Sequence, residues 1–170
     1  MRVLETDRLV LRRLTLEDAE FIRRLVNEPA WLRYIGDKHV RSLEDARNYL
    51  RSGPLDMYER YGFGMFLVEL KETGAAVGAC GLLKRDTLPD PDIGYAFLPE
   101  YWGKGYALEA ADAVLKYGHR QHGLPRILAI TSPDNERSIR ILQHCGMHFQ
   151  RMVEMAEQDQ VKLFALQFVG

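Results

Sequence analysis

Residues 92–110 read Asp92-Ile-Gly-Tyr-Ala-Phe-Leu-Pro-Glu-Tyr-Trp-Gly-Lys-Gly-Tyr-Ala-Leu-Glu-Ala110. The run before Pro99 favours a β-strand, and Pro99, which lacks an N–H, ends the hydrogen-bonding ladder of that strand. Gly103 and Gly105 follow, and the apolar residues after them recur at helical spacing. The stretch therefore predicts a strand, a loop of bare backbone and a helix. The unpaired N–H groups and partial positive charge of a helix N-terminus make such a loop suited to a phosphate.

Length and composition indicate one globular domain spanning residues 1–170. The chain has 170 residues, of which 46% are hydrophobic, enough for a substantial core. Its 23 basic and 24 acidic residues leave a formal net charge of -1, so no broad field attracts nucleic acid or an anionic membrane. No apolar run approaches the ~20 residues of a membrane span, and charges stand where a signal peptide would need its apolar run. We expect a cytoplasmic protein.

Hydrophobic periodicity and capping signals predict seven strands and four helices in the order β-α-α-β-β-β-α-β-α-β-β. Thr15-Leu-Glu-Asp18 and Ser42-Leu-Glu-Asp45 each have the form of a capping box, which predicts a helix after each. Pro29 is expected to end the first helix, and Gly53-Pro54 to break or kink the second. The expected strands are residues 8–14, 62–71, 75–85, 93–98, 126–131, 147–155 and 161–169, the last two flanking a polar turn at 156–160.

The relative directions of these strands follow from what connects them. Glu72-Thr-Gly74 is a hairpin signal, so the strands on either side of it should be antiparallel. Residues 126–131 are apolar at four successive positions, which indicates a strand covered on both faces. We expect that strand to lie centrally and parallel to strand 93–98, because a helix separates the two. Asn135 should cap the next helix and Gly146 should end it.

Two common nucleotide-binding motifs do not fit the glycines. A Walker loop needs Ser or Thr after its lysine, but Gly105 follows Lys104. A dinucleotide fingerprint would put its third glycine at position 108, where the chain has Leu108, and no acidic residue ends the following strand. Both readings are excluded.

Leu98-Pro-Glu-Tyr-Trp-Gly-Lys-Gly-Tyr-Ala-Leu-Glu-Ala110 resembles the pyrophosphate loop of the GNAT N-acetyltransferase superfamily, and especially its RimJ/RimL branch of ribosomal-protein N-terminal acetyltransferases. The resemblance extends over the whole chain, through Glu5-Thr-Asp-Arg-Leu-Val-Leu-Arg12, Asp92-Ile-Gly-Tyr95 and Asn135-Glu-Arg-Ser138. It implies a single-domain α+β (mixed α/β) GNAT fold with a central twisted mixed sheet of about seven strands and helices on both faces. It also implies acetyl-coenzyme A as co-substrate.

The resemblance carries a set of coenzyme-binding residues. In this superfamily the strand before the loop and the strand after the helix splay apart, and the coenzyme arm fills the gap between them. Backbone groups of Phe97 and Leu98 would pair with the arm, and the N–H of one of them would polarise the thioester carbonyl. Amides in the loop would hold the pyrophosphate, and Asn135 matches a residue that touches the arm. The expected loop set is Gly103, Lys104, Gly105, Tyr106 and Ala107.

Two side chains match catalytic positions of the superfamily. Ser138 stands where the family has a serine near the thioester sulfur, and a hydroxyl donor suffices for a thiol of pKa about 8.5. Asp92 occupies the strand position of a glutamate base, which would deprotonate the amine directly or through water. The alternatives remain open: Ser138 as a solvent-facing helical serine, and Asp92 as an exposed residue that ends the Pro89-Asp-Pro-Asp92 turn.

The acceptor implied is a primary amine, foremost a protein N-terminal amine. The alternative acceptors are a polyamine, an amino acid or an aminoglycoside. An alternative function is that of a sensor, which binds acyl-coenzyme A without turning it over. Trp31, Tyr34, Tyr58 and Tyr61 would line the acceptor mouth or belong to the core. We expect no metal site, because the pairs formed by the histidines at 119, 122, 144 and 148 lack a third ligand. The two cysteines, at 80 and 145, form no Cys-x-x-Cys pair, and the chain is expected to be a monomer or homodimer.

Overall fold

An eight-stranded sheet organises the part of the chain that the computed structural model describes, residues 2–155 and 158–169. The strands lie in the order β1-β2-β3-β4-β5-β6-β8-β7, and only β5 and β6 run parallel. Their bounds are β1 Arg2–Glu5, β2 Leu9–Arg13, β3 Met65–Leu70, β4 Ala76–Leu83, β5 Asp92–Phe97, β6 Arg126–Thr131, β7 His148–Met155 and β8 Gln158–Gln167.

The sheet has one strand more than the sequence predicts. The additional strand, β1, has four residues and pairs antiparallel with β2 across an irregular register. So short a segment has too little alternation to indicate a strand by its own pattern. Near the other edge of the sheet, β8 already includes residues 158–160, so the polar turn expected at 156–160 is wrong for those positions. Residues 156 and 157 lie outside the described part.

Four α-helices precede β3, where the sequence predicts two. They are α1 Ala19–Val26, α2 Pro29–Tyr34, α3 Leu43–Leu50 and α4 Asp56–Tyr61. Pro29 occupies the first turn of α2 instead of only ending α1, a position that needs no N–H. Gly53 and Pro54 lie in a π-helical turn, Arg51–Leu55, that joins α3 to α4 without a break. Two further helices follow later in the chain, α5 Tyr106–His122 and α6 Glu136–His144. Both predicted capping boxes are confirmed, the first on a short 3-10 turn that leads into α1.

Helices cover both faces of the sheet, as predicted. On one face, α5 packs Ala110, Val114 and Leu115 into a core cluster that includes Phe66 of β3 and Phe164 of β8. On the opposite face, α1 and α3 bury their apolar sides against other sheet residues. The central strands are therefore enclosed, and β5 carries side chains into both cores.

The two parallel strands separate immediately after they meet. Asp92 and Leu128 form the one paired position between β5 and β6 in the described chain, with the Leu128 N–H donating to the Pro91 carbonyl at 2.9 Å. By contrast, β5 pairs with β4 over six successive positions. The predicted parallel arrangement is confirmed, and a gap opens between β5 and β6 in the middle of the sheet.

Candidate active site

A cavity of about 630 Å³ lies at the gap between β5 and β6. Residues of β5 form one wall, Ala129, Ile130 and Thr131 of β6 form another, and α6 closes a third side. Residues of α1 and α2 reach the same space from the opposite face of the sheet. A ligand in this cavity would therefore contact the edges of both strands and the side chains of three helices.

The backbone of β5 presents free groups to this gap at alternate residues. The Leu98 N–H donates to the Val77 carbonyl at 3.0 Å, so in an antiparallel ladder the neighbouring Phe97 turns its N–H away from β4. The same alternation turns the N–H and carbonyl of Tyr95 toward the gap. The Phe97 carbonyl already accepts a hydrogen bond from the Trp102 indole N–H at 2.8 Å.

The expectation for Leu98 is wrong on this geometry. Its N–H is bonded to Val77, and its carbonyl accepts the Tyr101 N–H at 3.0 Å. The Leu98 N–H is therefore not available to a coenzyme arm. The Phe97 N–H faces the gap, and so do both backbone groups of Tyr95.

The glycine loop has the backbone conformation that glycine alone adopts easily. Gly103 and Gly105 have φ of 77° and 83°, in the left-handed region, and Gly105 is the N-cap of α5. No side chain of the described residues caps this helix, so the N–H groups of its first turn are free for a ligand. Arg8 braces the loop by donating from Nη1 to the Lys104 carbonyl at 2.9 Å.

A second cavity, of about 260 Å³, lies between this loop and α6. The loop side includes Gly103, Gly105 and Tyr106, and the α6 side contributes Arg137 and Arg140. A helix N-terminus opposite two guanidinium groups is an arrangement suited to phosphate. The loop thus faces positive charge that the sequence prediction did not assign.

Asp92 is fully buried, which overturns the alternative of an exposed turn aspartate. Its carboxylate accepts from Arg85 Nε at 3.1 Å and 3.3 Å, and both residues line the larger cavity. Burial raises the pKa of Asp92 to about 6, and the Arg85 guanidinium partly offsets that effect. A carboxyl group with such a pKa can accept a proton near neutral pH.

Ser138 lies in the first turn of α6 and borders the same cavity. Its N–H donates to Asn135 Oδ1 at 3.3 Å, which confirms the predicted cap. Its Oγ is 2.9 Å from the hydroxyl of Tyr95 on β5. The structure contradicts the alternative of a solvent-facing serine, because Ser138 is half-buried and hydrogen-bonded.

Comparison with known proteins agrees with this geometry. The family described as "Acetyltransferase (GNAT) domain" matches residues 8–148, most of the chain. The chain belongs to the GNAT acetyltransferase family. The acetyltransferase is 34% identical over 146 residues to an uncharacterized N-acetyltransferase, YoaA, of Bacillus subtilis (strain 168), a match that covers 85% of this chain and 81% of that protein.

Two solved structures share the fold of this acetyltransferase. A GNAT-family acetyltransferase from Bacillus anthracis is 28% identical, with a TM-score of 0.80 and 98% of each chain covered. RimL, a ribosomal L7/L12 alpha-N-protein acetyltransferase solved in complex with coenzyme A, has a TM-score of 0.84 at 18% identity, again with 98% of each chain covered. At that identity the likeness to RimL concerns the fold. The family match and the relative YoaA, by contrast, show that the protein is an enzyme, an N-acetyltransferase.

The aromatic residues of the early helices divide between the site and the core of the acetyltransferase. Trp31 and Tyr34 line the larger cavity. Tyr58 is buried and accepts the Leu14 N–H at 3.0 Å on its hydroxyl, which makes it a core residue. Tyr61 stacks on a neighbouring phenylalanine at a centroid distance of 5.6 Å.

Sequence reasoning missed five residues of the site, which are Tyr95, Trp102, Arg85, Arg137 and Arg140. Tyr95 and Trp102 lie inside the motif that carries the resemblance, but their partners are set by the fold. Arg85 stands seven residues before Asp92, just after β4, and the β4–β5 pairing brings the two together. An arginine close before the candidate base is the one signal in the sequence that could have indicated Arg85.

The histidines make no cluster in the described chain. His119 Nδ1 lies 3.0 Å from the Leu124 carbonyl, and His122 Nε2 lies 2.8 Å from the Tyr117 hydroxyl. Among the residues described, no group of three or more His, Cys, Asp or Glu side chains could hold a metal ion. None of the described helices has the length and apolar character needed to cross a membrane.

Proposed function

We propose that this acetyltransferase transfers acetyl directly from acetyl-coenzyme A to the N-terminal amine of a protein, as in the RimJ/RimL-like branch. Acetyl-coenzyme A is its co-substrate. The observation that carries the proposal is the continuous path from the free first turn of α5, along the unpaired edge of β5, to the cavity that contains Asp92 and Ser138.

The residues present fit this co-substrate. The N–H groups that follow Gly105 have no capping side chain in the described chain, and Arg137 and Arg140 face the same space. Pyrophosphate would bind there, held by amides from Gly103 through Ala107, with Lys104 adding charge nearby. Farther along, the N–H of Phe97 and both backbone groups of Tyr95 would pair with the amides of the arm, with the Asn135 side chain beside it.

The chemistry would take place where β5 and β6 meet. Asp92 would accept the proton that the amine loses, directly or through a water molecule. A backbone N–H of β5 that faces the gap would donate to the carbonyl oxygen as negative charge develops there. Ser138 would donate a hydrogen bond to the departing sulfur. None of these roles requires a covalent bond between the enzyme and the acetyl group.

A protein N-terminus is proposed as the acceptor because the fold and the loop motif both resemble those of the RimJ/RimL branch. RimL and a ribosomal-protein-S5-alanine acetyltransferase from Vibrio fischeri both share this fold, at TM-scores of 0.84 and 0.81. Tyr34 of α2 and the exposed Asp86 both line the larger cavity, where an acceptor would have to enter.

An amine panel tests the proposal. Wild-type protein is incubated with acetyl-coenzyme A and peptides beginning with alanine, serine or methionine, beside spermidine, free amino acids and an aminoglycoside, and thiol release is followed. We expect turnover with at least one peptide. Turnover with small amines alone would assign a small-molecule acceptor, and coenzyme binding with no turnover across the panel would favour a sensor.

A further inference from the structure

A hydrogen bond between Tyr95 and Ser138 connects the central strand β5 to the first turn of α6. The Tyr95 hydroxyl oxygen lies 2.9 Å from Ser138 Oγ and 3.1 Å from the Ser138 carbonyl oxygen. The two residues are 43 positions apart in the chain, and both line the larger cavity. Ser138 is thus held from two sides, since Asn135 accepts its N–H.

The hydroxyl hydrogens of this pair have two arrangements. If Tyr95 donates to the Ser138 carbonyl, then Ser138 Oγ must donate to Tyr95, and the serine hydrogen is engaged. If Tyr95 instead donates to Ser138 Oγ, the serine hydrogen is free to turn toward a ligand. Only rotation about the two C–O bonds separates the arrangements, so a negative atom in the cavity would select the second.

Tyr95 keeps its proton in either arrangement. Burial raises the pKa of its hydroxyl well above the ordinary value, and the bond to Ser138 offsets this only in part. The tyrosine is therefore a hydrogen-bond donor and does not act as a proton source. A hydroxyl that accepts one hydrogen bond becomes a better donor of its own, because the two bonds polarise each other.

We infer that Tyr95 is a positioning residue for the leaving-group step, which orients the Ser138 hydroxyl toward the departing sulfur. The inference rests on the proposed function. As the new C–N bond forms and the C–S bond breaks, the electron pair of the C–S bond goes to sulfur. Ser138 donates to that thiolate and Tyr95 donates to Ser138, while both keep their hydrogens. The amine proton goes to the base, and the thiolate is protonated from solvent after release.

Three variants measured on the amine that the panel selects test the inference: Tyr95→Phe, Ser138→Ala and the double variant. A matched control is Tyr117→Phe, which also removes the hydroxyl of a half-buried tyrosine. The Tyr117 hydroxyl lies 2.8 Å from His122 Nε2, and Tyr117 does not line the larger cavity. We expect Tyr95→Phe to lower kcat about fivefold to tenfold, the effect of about one hydrogen bond. The KM for acetyl-coenzyme A should stay within about twofold, and Tyr117→Phe should leave kcat unchanged.

The double variant decides between positioning and a merely structural link. If Tyr95 acts through Ser138, the double variant is no slower than Ser138→Ala alone. A double variant slowed by the product of the single effects, or a Tyr95→Phe enzyme with full kcat, would overturn the inference. Thermal melts of each variant, with acetyl-coenzyme A affinity by calorimetry, show whether any loss comes from unfolding. A wild-type protein inactive on every amine would overturn the proposed function itself, and this inference with it.

Discussion

Arg85 Nε donates to both carboxylate oxygens of Asp92, at 3.1 Å and 3.3 Å, at the wall of the larger cavity. Asp92 is fully buried, whereas the Arg85 side chain is 38% exposed. The pair therefore holds a desolvated carboxylate in a fixed orientation while its cation remains in contact with solvent. Burial outweighs the cation, and the pKa of Asp92 rises to about 6.

Replacing Asp92 should slow acetyl transfer. In an Asp92→Asn enzyme no carboxylate accepts the amine proton, and we expect kcat to fall about 100-fold, at the low end for general bases. The wild-type rate should rise with pH through about 6, where the base loses its proton, and the variant should lack that step. Asp86→Asn, an exposed carboxylate at the same cavity, is the control. A variant with wild-type kcat would exclude Asp92 as the base.

The same substitution should change the pH dependence of stability. The folded pKa of Asp92, about 6, is above its ordinary 3.8, so the folded state binds more protons between these values. The free energy of unfolding therefore falls as pH rises from 3.8 to about 6. At about 1.4 kcal/mol per pKa unit, the total loss is roughly 3 kcal/mol. Asp92→Asn removes the titration, so its stability relative to wild type should increase between pH 4 and pH 7. Urea unfolding at both pH values measures this, and a constant difference would contradict the buried ionised carboxylate.

Gly105→Ala should weaken coenzyme binding beyond its effect on stability. A Cβ at Gly105 would lie 3.3 Å from Arg8 Nη2 and would force an alanine to φ of +83°. Gly74→Ala is the matched control, since Gly74 has φ of +75° with open space around it, in the turn between β3 and β4. Each substitution should cost about 1–2 kcal/mol of stability. Only Gly105→Ala should lower the affinity for coenzyme A, by tenfold or more as measured by calorimetry. Equal affinities of the Gly105→Ala and Gly74→Ala proteins would contradict the assignment of this loop to the pyrophosphate.

Trp102→Phe should also weaken coenzyme A binding. The Trp102 indole N–H donates to the Phe97 carbonyl at 2.8 Å, and Arg137 stacks 3.6 Å from its ring. Losing the bond frees a carbonyl at the gap and loosens the guanidinium, so we expect about a tenfold loss of affinity, or roughly 1.4 kcal/mol. In Trp31→Phe the indole N–H that is lost has no hydrogen-bond partner among the described residues, so coenzyme A affinity should change little. Similar losses in both variants would argue against a specific role for Trp102.

Local chemistry made much of this site predictable from sequence. Gly103 and Gly105 were expected to form a loop of bare backbone, and both have a positive φ, at which any side chain is strained. Asn135 was expected to cap α6 because its short side chain reaches the N–H three residues later. The parallel pairing of β5 with β6 followed from the helix between them. Each of these predictions needs only residues close in the chain.

The remainder depends on contacts between distant residues. By itself, the motif Pro89-Asp-Pro-Asp92 predicts a turn with an exposed aspartate. Asp92 is buried because it pairs with β4 and bonds to the Arg85 side chain. The Tyr95–Ser138 bond joins residues 43 positions apart. Leu98 was misassigned because the register between β4 and β5 determines which residues of β5 face the gap. No pattern within β5 fixes that register.

Backbone amide exchange with and without coenzyme A tests most directly whether the coenzyme completes the sheet between β5 and β6. The Phe97 and Tyr95 N–H groups face the gap, whereas the Leu98 N–H already donates to Val77 and serves as the internal control. In a protein saturated with coenzyme A, exchange at Phe97 and Tyr95 should slow at least tenfold relative to Leu98. Unchanged exchange at both residues under saturation, with protection at another surface, would contradict the assignment of this gap to the coenzyme arm.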